Sequence, residues 1–418
     1  MPSDRSSGRP PAQSPAQSAA QSVGELLRSR RESAGLSVSE LARRSGLTRG
    51  TSQNLESGRT APTPETFRRL AEIVELQLNE PPARSEPTGY APTPSAWLSP
   101  RYDPLQLASD MSQIFNGPGG TLEQTFAYLD PQSAADWFEY SNLPGYLEKF
   151  RAKIPIDELA RSVVDTSATR SLDLVALGVG DGKSETRLTA ALAQLLPGPA
   201  ALRMYLLEIS HPLLVTAYKH AVAALPSELP VFPIHGNFLD LPRVLPLQQQ
   251  PGRERRRLWT MFGNTMGNLA HEPSFLADVG ASSRPGDLLM LDVQTTYASA
   301  RDLKAVRSDD PIFHNPIHPV AERWLSGPVL RHCRGAREVR FELHPHNRCT
   351  LSGSYEITFS ANVTFDGGRH RRFEVFRVRR YNVDKLITEL ADLGWRCVYN
   401  TLYGPSPEHM ALLLLQRV

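Results

Sequence analysis

Three glycines spaced two apart, Gly178, Gly180 and Gly182, follow the apolar run Leu172, Leu174, Val175 in SLDLVALGVGDGKSETR. The pattern reads as a strand, a glycine-rich turn and a helix, a geometry that brings backbone N–H groups up to a ligand. Two chemistries compete for it. Gly182-Lys183-Ser184 suggests a loop that grips phosphate, but that loop needs its first glycine at the position held by Leu177. GDLLMLD, ending at Asp292, would supply a strand and a magnesium-binding acid, so a P-loop NTPase stays open as a remote alternative. The other chemistry is an adenosine-type ligand: glycines admit it at one strand end, and an acid closing the next strand holds its ribose hydroxyls. Glu208, at the end of MYLLE, is placed for that. The third glycine of a dinucleotide fingerprint falls at Lys183, which speaks against a pyrophosphate ligand.

These residues need a sheet to position them. After Ser171, apolar strands alternate with amphipathic helices: SLDLVALG, the helix after Ser184, RMYLLEIS, the helix near His211 to Ala224, VFPIHGNF, RRRLWTMFGN and GDLLMLDVQ. Such alternation predicts a parallel sheet with crossover helices. NVDKLITELADLGW (382–395) predicts an amphipathic helix, followed by a closing hairpin from RCVYNTLYG and HMALLLLQRV around Pro405-Ser-Pro. SYEITFSANVTF and RRFEVFRVRR alternate with period two around Asp366-Gly-Gly and predict an antiparallel pair.

A second chemistry lies nearer the start. Ser37 caps a short helix that turns Leu41 and Ala42 inward and stops at Gly46; Thr48 then caps another, from Arg49 to about Glu56. Two such helices joined at a glycine form a helix-turn-helix. The run from Val23 to Val74, including ESGRTAPTPETFRRLA, resembles the Cro/repressor (XRE-type) family. By that resemblance double-stranded DNA is the partner and a homodimer on a two-part operator the expected form. It makes Arg49, Gly50 and Asn54 the base readers, with Thr51 beside them, and puts Ser57 and Arg59 at phosphates. Val38 stands where the family has a polar residue, and Ser52 where it has an inward-facing aliphatic one. A helical bundle used for protein contact is the alternative reading.

Phe262-Gly-Asn-Thr-Met-Gly-Asn268, the helix leading to Pro285-Gly-Asp and the strand after it resemble the histidine-specific, S-adenosylmethionine-dependent methyltransferases of the ergothioneine pathway. GVGDGKSETR, LEIS (207–210) and GNF (236–238) match further parts of that family's pattern, and the likeness spans roughly residues 135–418. It implies S-adenosylmethionine as cofactor. Gly178, Gly180 and Asp181 would line its methionine part, Glu208 its ribose and Asn237 its adenine, over a floor of Phe262, Gly263 and Asn264. Asn268 would hold the acceptor's amino group. A W-F motif in that family makes Trp137, Phe138 and Tyr140 candidates for the substrate wall, with plain core packing as the alternative. Phe376 and Val378 stand where the family reads imidazole with a carboxylate and a serine, so histidine is not carried over as the substrate. No side chain is assigned as a catalytic group.

The fold expected is an all-α helix-turn-helix domain plus an α/β class I methyltransferase (Rossmann-like) domain with an inserted β-rich subdomain. Along the chain this gives a disordered tail (1–21), the DNA-binding domain (22–78), a proline-rich linker (79–100) and a helical lead-in (101–170). The cofactor core (171–299), the insertion (300–381) and the last helix with its hairpin (382–418) follow. With 46 Lys and Arg against 44 Asp and Glu, DNA binding must come from a local patch rather than from overall charge. Three cysteines without CxxC spacing predict a reducing compartment, and the absence of a bilayer-length apolar run or signal peptide predicts a soluble, cytoplasmic protein without membrane contact. No metal is expected: HPHNRC (344–349) fits no zinc spacing and reads as a surface loop, and Arg255-Arg-Arg257 reads as a solvated strand end. Two functions stay open: a DNA-binding regulator fused to a working methyltransferase acting on a small amine or amino acid, and a regulator whose second domain only senses S-adenosylmethionine or a related ligand.

Overall fold

The computed structural model describes residues 28, 31–32, 35–57, 66, 70, 73, 97–98, 109, 111–115, 117, 120–167, 169–198, 201–244, 255–347, 349–404 and 410–418. The expected tail, Arg59, the turn at Pro405 and the expected linker apart from Trp97 and Leu98 lie outside them. The chain divides into two compact units, Met1–Tyr90 and Ala91–Val418.

In the first unit, helix α1 (Val38–Ser45) is capped by Ser37, whose hydroxyl accepts from the Glu40 N–H, and ends on Gly46 at φ 69°. Helix α2 (Arg49–Glu56) is capped by Thr48 in the same way. Leu41 and Leu55 bury against Leu70. A buried ion pair that sequence patterning does not reveal adds to this: Arg31 donates to both carboxylate oxygens of Glu56, at 2.6 and 3.0 Å. Ser52 is buried and its hydroxyl has no hydrogen-bond partner among the described residues, the consequence of a polar residue at an aliphatic position. Ser52→Ala should therefore stabilise this unit by about 1 kcal/mol, read as a higher midpoint in thermal unfolding followed by circular dichroism.

The second unit is built on an eight-stranded sheet. Its strands are β1 (Trp97–Leu98), β3 (Ser171–Leu177), β4 (Leu202–Glu208), β5 (Val231–His235), β6 (Arg255–Met261), β7 (Leu288–Gln294), β11 (Trp395–Tyr403) and β12 (Met410–Arg417). The order is β1-β5-β4-β3-β6-β7-β12-β11, parallel except for β12, which runs antiparallel to both neighbours. β7 is buried along its whole length, as a strand covered by helices on both faces must be. Helices α3 (Pro131–Ser141), α4 (Ile156–Ser167), α5 (Lys183–Leu195), α6 (His211–Ala224), α7 (Glu272–Ala281), α8 (Leu303–Asp309), α9 (Pro319–His332) and α10 (Val383–Asp392) complete it. The expected alternation, last helix and closing hairpin are all present.

Four expectations change. Residues 97–98, inside the expected linker, pair with Ile234 and His235 as an edge strand. The expected insertion begins with α8 and α9 and becomes β-rich only at β8 (Ala336–His346), which precedes the anticipated pair β9 (Tyr355–Phe365) and β10 (His370–Arg380). It also recruits the lead-in: β2 (Gly120–Thr121) joins β10, and Phe115 and Phe126 share a core with Trp324 and Phe373. His344 and His346 lie on β8 rather than in a loop, because they continue its pairing with β9. Among the described residues no cluster of His, Cys, Asp and Glu could hold a metal, and no helix is long and apolar enough to cross a membrane. Arg255 and Arg257 are not a solvated end. Arg255 pairs with Asp173 at 3.2 Å, and Arg257 is buried, donating to the Ser282 carbonyl, since both sit within β6 beside β3.

Candidate functional site

The chain runs outward from β3 to β4 and β5, then returns to β6 on the other side of β3. The crevice at such a switch point, outside the carboxyl ends of the strands, is where open α/β sheets hold ligands. The glycine turn lies there. Gly178 and Gly180 adopt φ 63° and 59°, left-handed backbone that favours glycine. A Cβ on Gly178 would come within 3.0 Å of the Phe238 ring, and one on Gly180 within 2.5 Å of the Trp137 ring. No Cβ fits at either position, because the Phe238 and Trp137 rings pack directly on the glycine backbone. Glu208, buried at the end of β4, accepts from the Gly180 N–H on one carboxylate oxygen and from the Ser210 N–H on the other, both at 2.9 Å. Each oxygen keeps a lone pair for another donor. Lys183 opens α5, and its ammonium contacts Asn142 and Asp181, which places the Gly-Lys-Ser triplet beyond the turn.

Opposite lies the Phe262–Asn268 segment. Asp292, at the end of β7, accepts from the Gly263 N–H at 2.8 Å and from the Tyr403 hydroxyl at 2.7 Å. It holds a loop rather than reaching out for a metal. Asn264 is the one described non-glycine residue with positive φ; its side-chain oxygen accepts from the Gln294 N–H and its amide reaches the Arg379 carbonyl. Asn264 thus shapes the turn that carries Asn268, and a Cβ on Gly267 would come within 2.6 Å of its amide nitrogen. Arg379 fixes the segment's far end, donating to the Leu269 carbonyl at 2.6 Å and pairing with Glu272 and Glu356.

Sequence reasoning missed the residues that close the crevice from above. After α3 the chain makes a short helix, Pro144–Leu147, that runs into a π-helical turn, Glu148–Ala152. Tyr146 packs edge-on to Tyr140, and Arg151 pairs with Asp181 at 2.6 Å. From the insertion, Trp324 stacks on Tyr140, with ring centroids 5.8 Å apart. Trp137 also lines the crevice, whereas Phe138 lies at the surface under the Lys183 ammonium. The only sequence signals here were scattered aromatics, which do not say what they face.

The cavity, open to solvent on one side, measures about 1000 Å³. Tyr140, Gly178, Gly180, Asp181, Glu208, Asn237, Phe262, Gly263, Asn264 and Asn268 all line it, so one space collects the residues the sequence assigned to cofactor and acceptor, Phe138 apart. In the first unit Arg49, Gly50, Thr51, Asn54 and Ser57 are exposed, while Ser52, Leu55 and Glu56 turn inward. The exposed face of α2 therefore carries the residues singled out for DNA.

Residues 22–81 match the family model of a helix-turn-helix domain, and residues 137–305 that of the histidine-specific, S-adenosylmethionine-dependent methyltransferases. The chain joins a helix-turn-helix domain to an S-adenosylmethionine-dependent methyltransferase domain. Among solved structures, the chain is similar to an S-adenosylmethionine-dependent methyltransferase from Clostridium acetobutylicum ATCC 824, at 10% identity over 68% of this chain and 95% of that one, with a TM-score of 0.34. It is similar also to the glycopeptide N-methyltransferase MtfA with S-adenosylmethionine bound, at 14% identity over 63% and 94% of the two chains and a TM-score of 0.31. No curated protein matches it in sequence.

The methyltransferase domain fits its cofactor on its own geometry: left-handed glycine backbone at the switch point, a buried carboxylate with free lone pairs, and a cavity at the upper end of the roughly 300–1000 Å³ typical of small-molecule sites. Its electrostatics bring out a further residue, Glu185, which lines the cavity in the first turn of α5. Burial pushes its carboxyl up to about 8, and that of Asp292 up to about 7. Both groups hold protons in the folded domain that the unfolded chain releases at lower pH. Their contribution to stability is therefore full below the ordinary carboxylate range and is lost as pH rises towards 8. Each group in its window removes about 1.4 kcal/mol per pH unit. Scanning calorimetry from pH 5 to 8 should show a falling midpoint for the ligand-free protein, with the fall between pH 7 and 8 flattened in Glu185→Gln.

Proposed function

We propose that this protein is a DNA-binding transcription regulator whose second domain transfers a methyl group from S-adenosylmethionine to the nitrogen of a small amine or amino acid. The observation that carries this reading is the convergence, in one cavity, of the glycine loop, Glu208 and Asn237 with Asn268 and Tyr140. In this reading Gly178, Gly180 and Asp181 hold the methionine end, Glu208 the ribose diol and Asn237 the adenine side, over the backbone of Phe262–Asn264. The cofactor supplies a methyl already activated on a sulfonium. What the protein adds is alignment and a neutral nucleophile. The Asn268 amide orients the amine without raising its pKa, and the aromatic surroundings disfavour its charged form.

S-adenosylhomocysteine should raise the melting temperature of the methyltransferase domain, while ATP with magnesium should not; the reverse result would return the glycine loop to phosphate. Labelled methyl groups should pass to amines in an acceptor panel, and Asn268→Ala should lower kcat/KM by about 10- to 100-fold. Cofactor binding without transfer to any amine would assign the domain to sensing instead.

For the first domain, the exposure of Arg49 and Asn54 on one face of α2 supports major-groove reading. In a gel-shift assay on the upstream region of its own gene, Arg49→Ala and Asn54→Ala should each cost roughly 1–3 kcal/mol in specific binding. Equal binding by the double variant would remove this helix from DNA recognition.

A further inference from the structure

We infer that Arg151, on the π-helical turn Glu148–Ala152, reads the carboxylate of the cofactor's methionine end, so that the domain distinguishes nucleosides carrying an amino acid from those without one. The inference rests on the methyltransferase reading above and adds a residue that lies outside the glycine-rich pattern. The need for a cation comes from the charges already at that end of the cavity. Asp181, Glu185 and Glu208 line it beside the glycine loop, and all three are buried. The methionine end of S-adenosylmethionine brings an ammonium and a further carboxylate. Asp181 suits the ammonium, but a carboxylate entering among three acids held out of water needs a cation of its own. Arg377 and Arg380 line the cavity from β10, which packs on the Thr265–Asn268 turn, and Arg380 is taken up by Asp310 at 3.0 Å. Lys183 turns its ammonium to Asn142 and over the Phe138 ring.

Arg151 stands where that charge is missing. It lines the cavity, its side chain is only 12% exposed, and its Nη1 donates to Asp181 Oδ2 at 2.6 Å. A guanidinium presents its N–H donors in a fixed plane, and among the described residues Nε and Nη2 of Arg151 have no hydrogen-bond partner. The edge formed by Nε and Nη2 matches a carboxylate that accepts two parallel bonds. Two contacts hold the group in place. The Tyr146 ring packs against the guanidinium at 5.5 Å, and Arg187 of α5 donates to the Arg151 carbonyl at 2.9 Å, which ties the turn to the helix that follows the glycine loop. A π-helical turn is itself rare and occurs mostly at functional sites; here it delivers Arg151 to Asp181. The pair accepts a zwitterion as a unit, with the ammonium against Asp181 and the carboxylate against Arg151, so that each buried charge meets its opposite. Lys149, which lines the cavity from the same turn and lies over the Phe150 ring, is the natural control.

The test titrates the full-length protein calorimetrically with S-adenosylhomocysteine and with its carboxyl methyl ester, which keeps the nucleoside and the ammonium and loses only the negative charge. Wild type should bind the acid about ten-fold or more tighter than the ester. Arg151→Met should remove most of that preference, weakening the acid about ten-fold or more while the ester weakens by no more than about three-fold. Lys149→Met should keep the preference. Binding of the ester reports that Arg151→Met is folded. If that variant does not fold, Arg151→Lys, which keeps a charge for Asp181 and loses the planar fork, takes its place and should bind the acid at least about three-fold more weakly with the ester unchanged. No preference in wild type, an equal loss for acid and ester in the Arg151 variant, an undiminished preference there, or a preference abolished by Lys149→Met would each overturn the inference and leave the methyltransferase reading standing. Failure of the wild-type protein to bind S-adenosylhomocysteine at all would instead remove that reading, and this inference with it.

Discussion

Glu208→Ala should weaken binding of S-adenosylhomocysteine by on the order of 10²- to 10⁴-fold, the loss of two charge-assisted hydrogen bonds to a diol at about 1.5–3 kcal/mol each. Burial raises the Glu208 carboxyl above its ordinary value, with the Ser210 and Gly180 N–H groups acting in the other direction. The substitution also frees those two N–H groups and loosens the glycine turn, so a moderate fall in the melting temperature of the ligand-free protein is expected as well. Isothermal titration separates the effects, because affinity falls far more than stability. Wild-type affinity in Glu208→Ala would show that the ribose lies elsewhere.

Arg379→Met should be strongly destabilising to the methyltransferase domain. Arg379 is almost fully buried between Glu272 and Glu356, at 2.6 and 2.7 Å, and Glu272 is wholly buried. Removing the guanidinium strands Glu272 with only the hydroxyls of Thr350 and Tyr381 for partners. Breaking one side of a buried pair costs about 3–5 kcal/mol, which lowers the melting temperature by on the order of 10 °C. The same side chain holds the Leu269 carbonyl, one residue beyond Asn268, so KM for the acceptor should rise in whatever fraction stays folded. A midpoint within 2 °C of wild type, by calorimetry, would contradict this account.

Much of the molecule is legible along the chain because the signals are local. Ser37, Thr48 and Gly46 mark the ends of α1 and α2 through capping chemistry that operates within one turn. The apolar runs at Leu172 and Leu288 read as buried strands because a strand covered on both faces needs continuous apolar character. The glycine turn is legible for the same kind of reason: positive φ at Gly178 and Gly180 is a property of single residues. Glu208 needs only the end of the next strand.

The residues that escape such reading owe their roles to distant partners. Glu56 looks like an exposed helix-end charge until Arg31 is found against it, and Arg255 and Arg257 look solvated until β3 is placed beside them. Glu185 looks like the first turn of a helix, and only burial makes it a group that titrates near neutrality. The Pro144–Ala152 segment carries no periodicity that predicts Arg151 over Asp181.

The sequence by itself determined the two kinds of domain and the class of cofactor, since these depend on turns, caps and strand ends built from neighbouring residues. Only the tertiary structure decided which side chains Tyr140 and Phe376 meet in the cavity. Tyr140, Trp324 and Phe376 come from three elements that no local pattern connects, and Tyr140 meets Trp324 because α9 packs along α3, with Arg323 on Asp136 and Arg331 on Asp130. Periodicity tells which face of an element is buried. It does not tell what that face meets, and the character of the cavity's aromatic wall is set by that meeting.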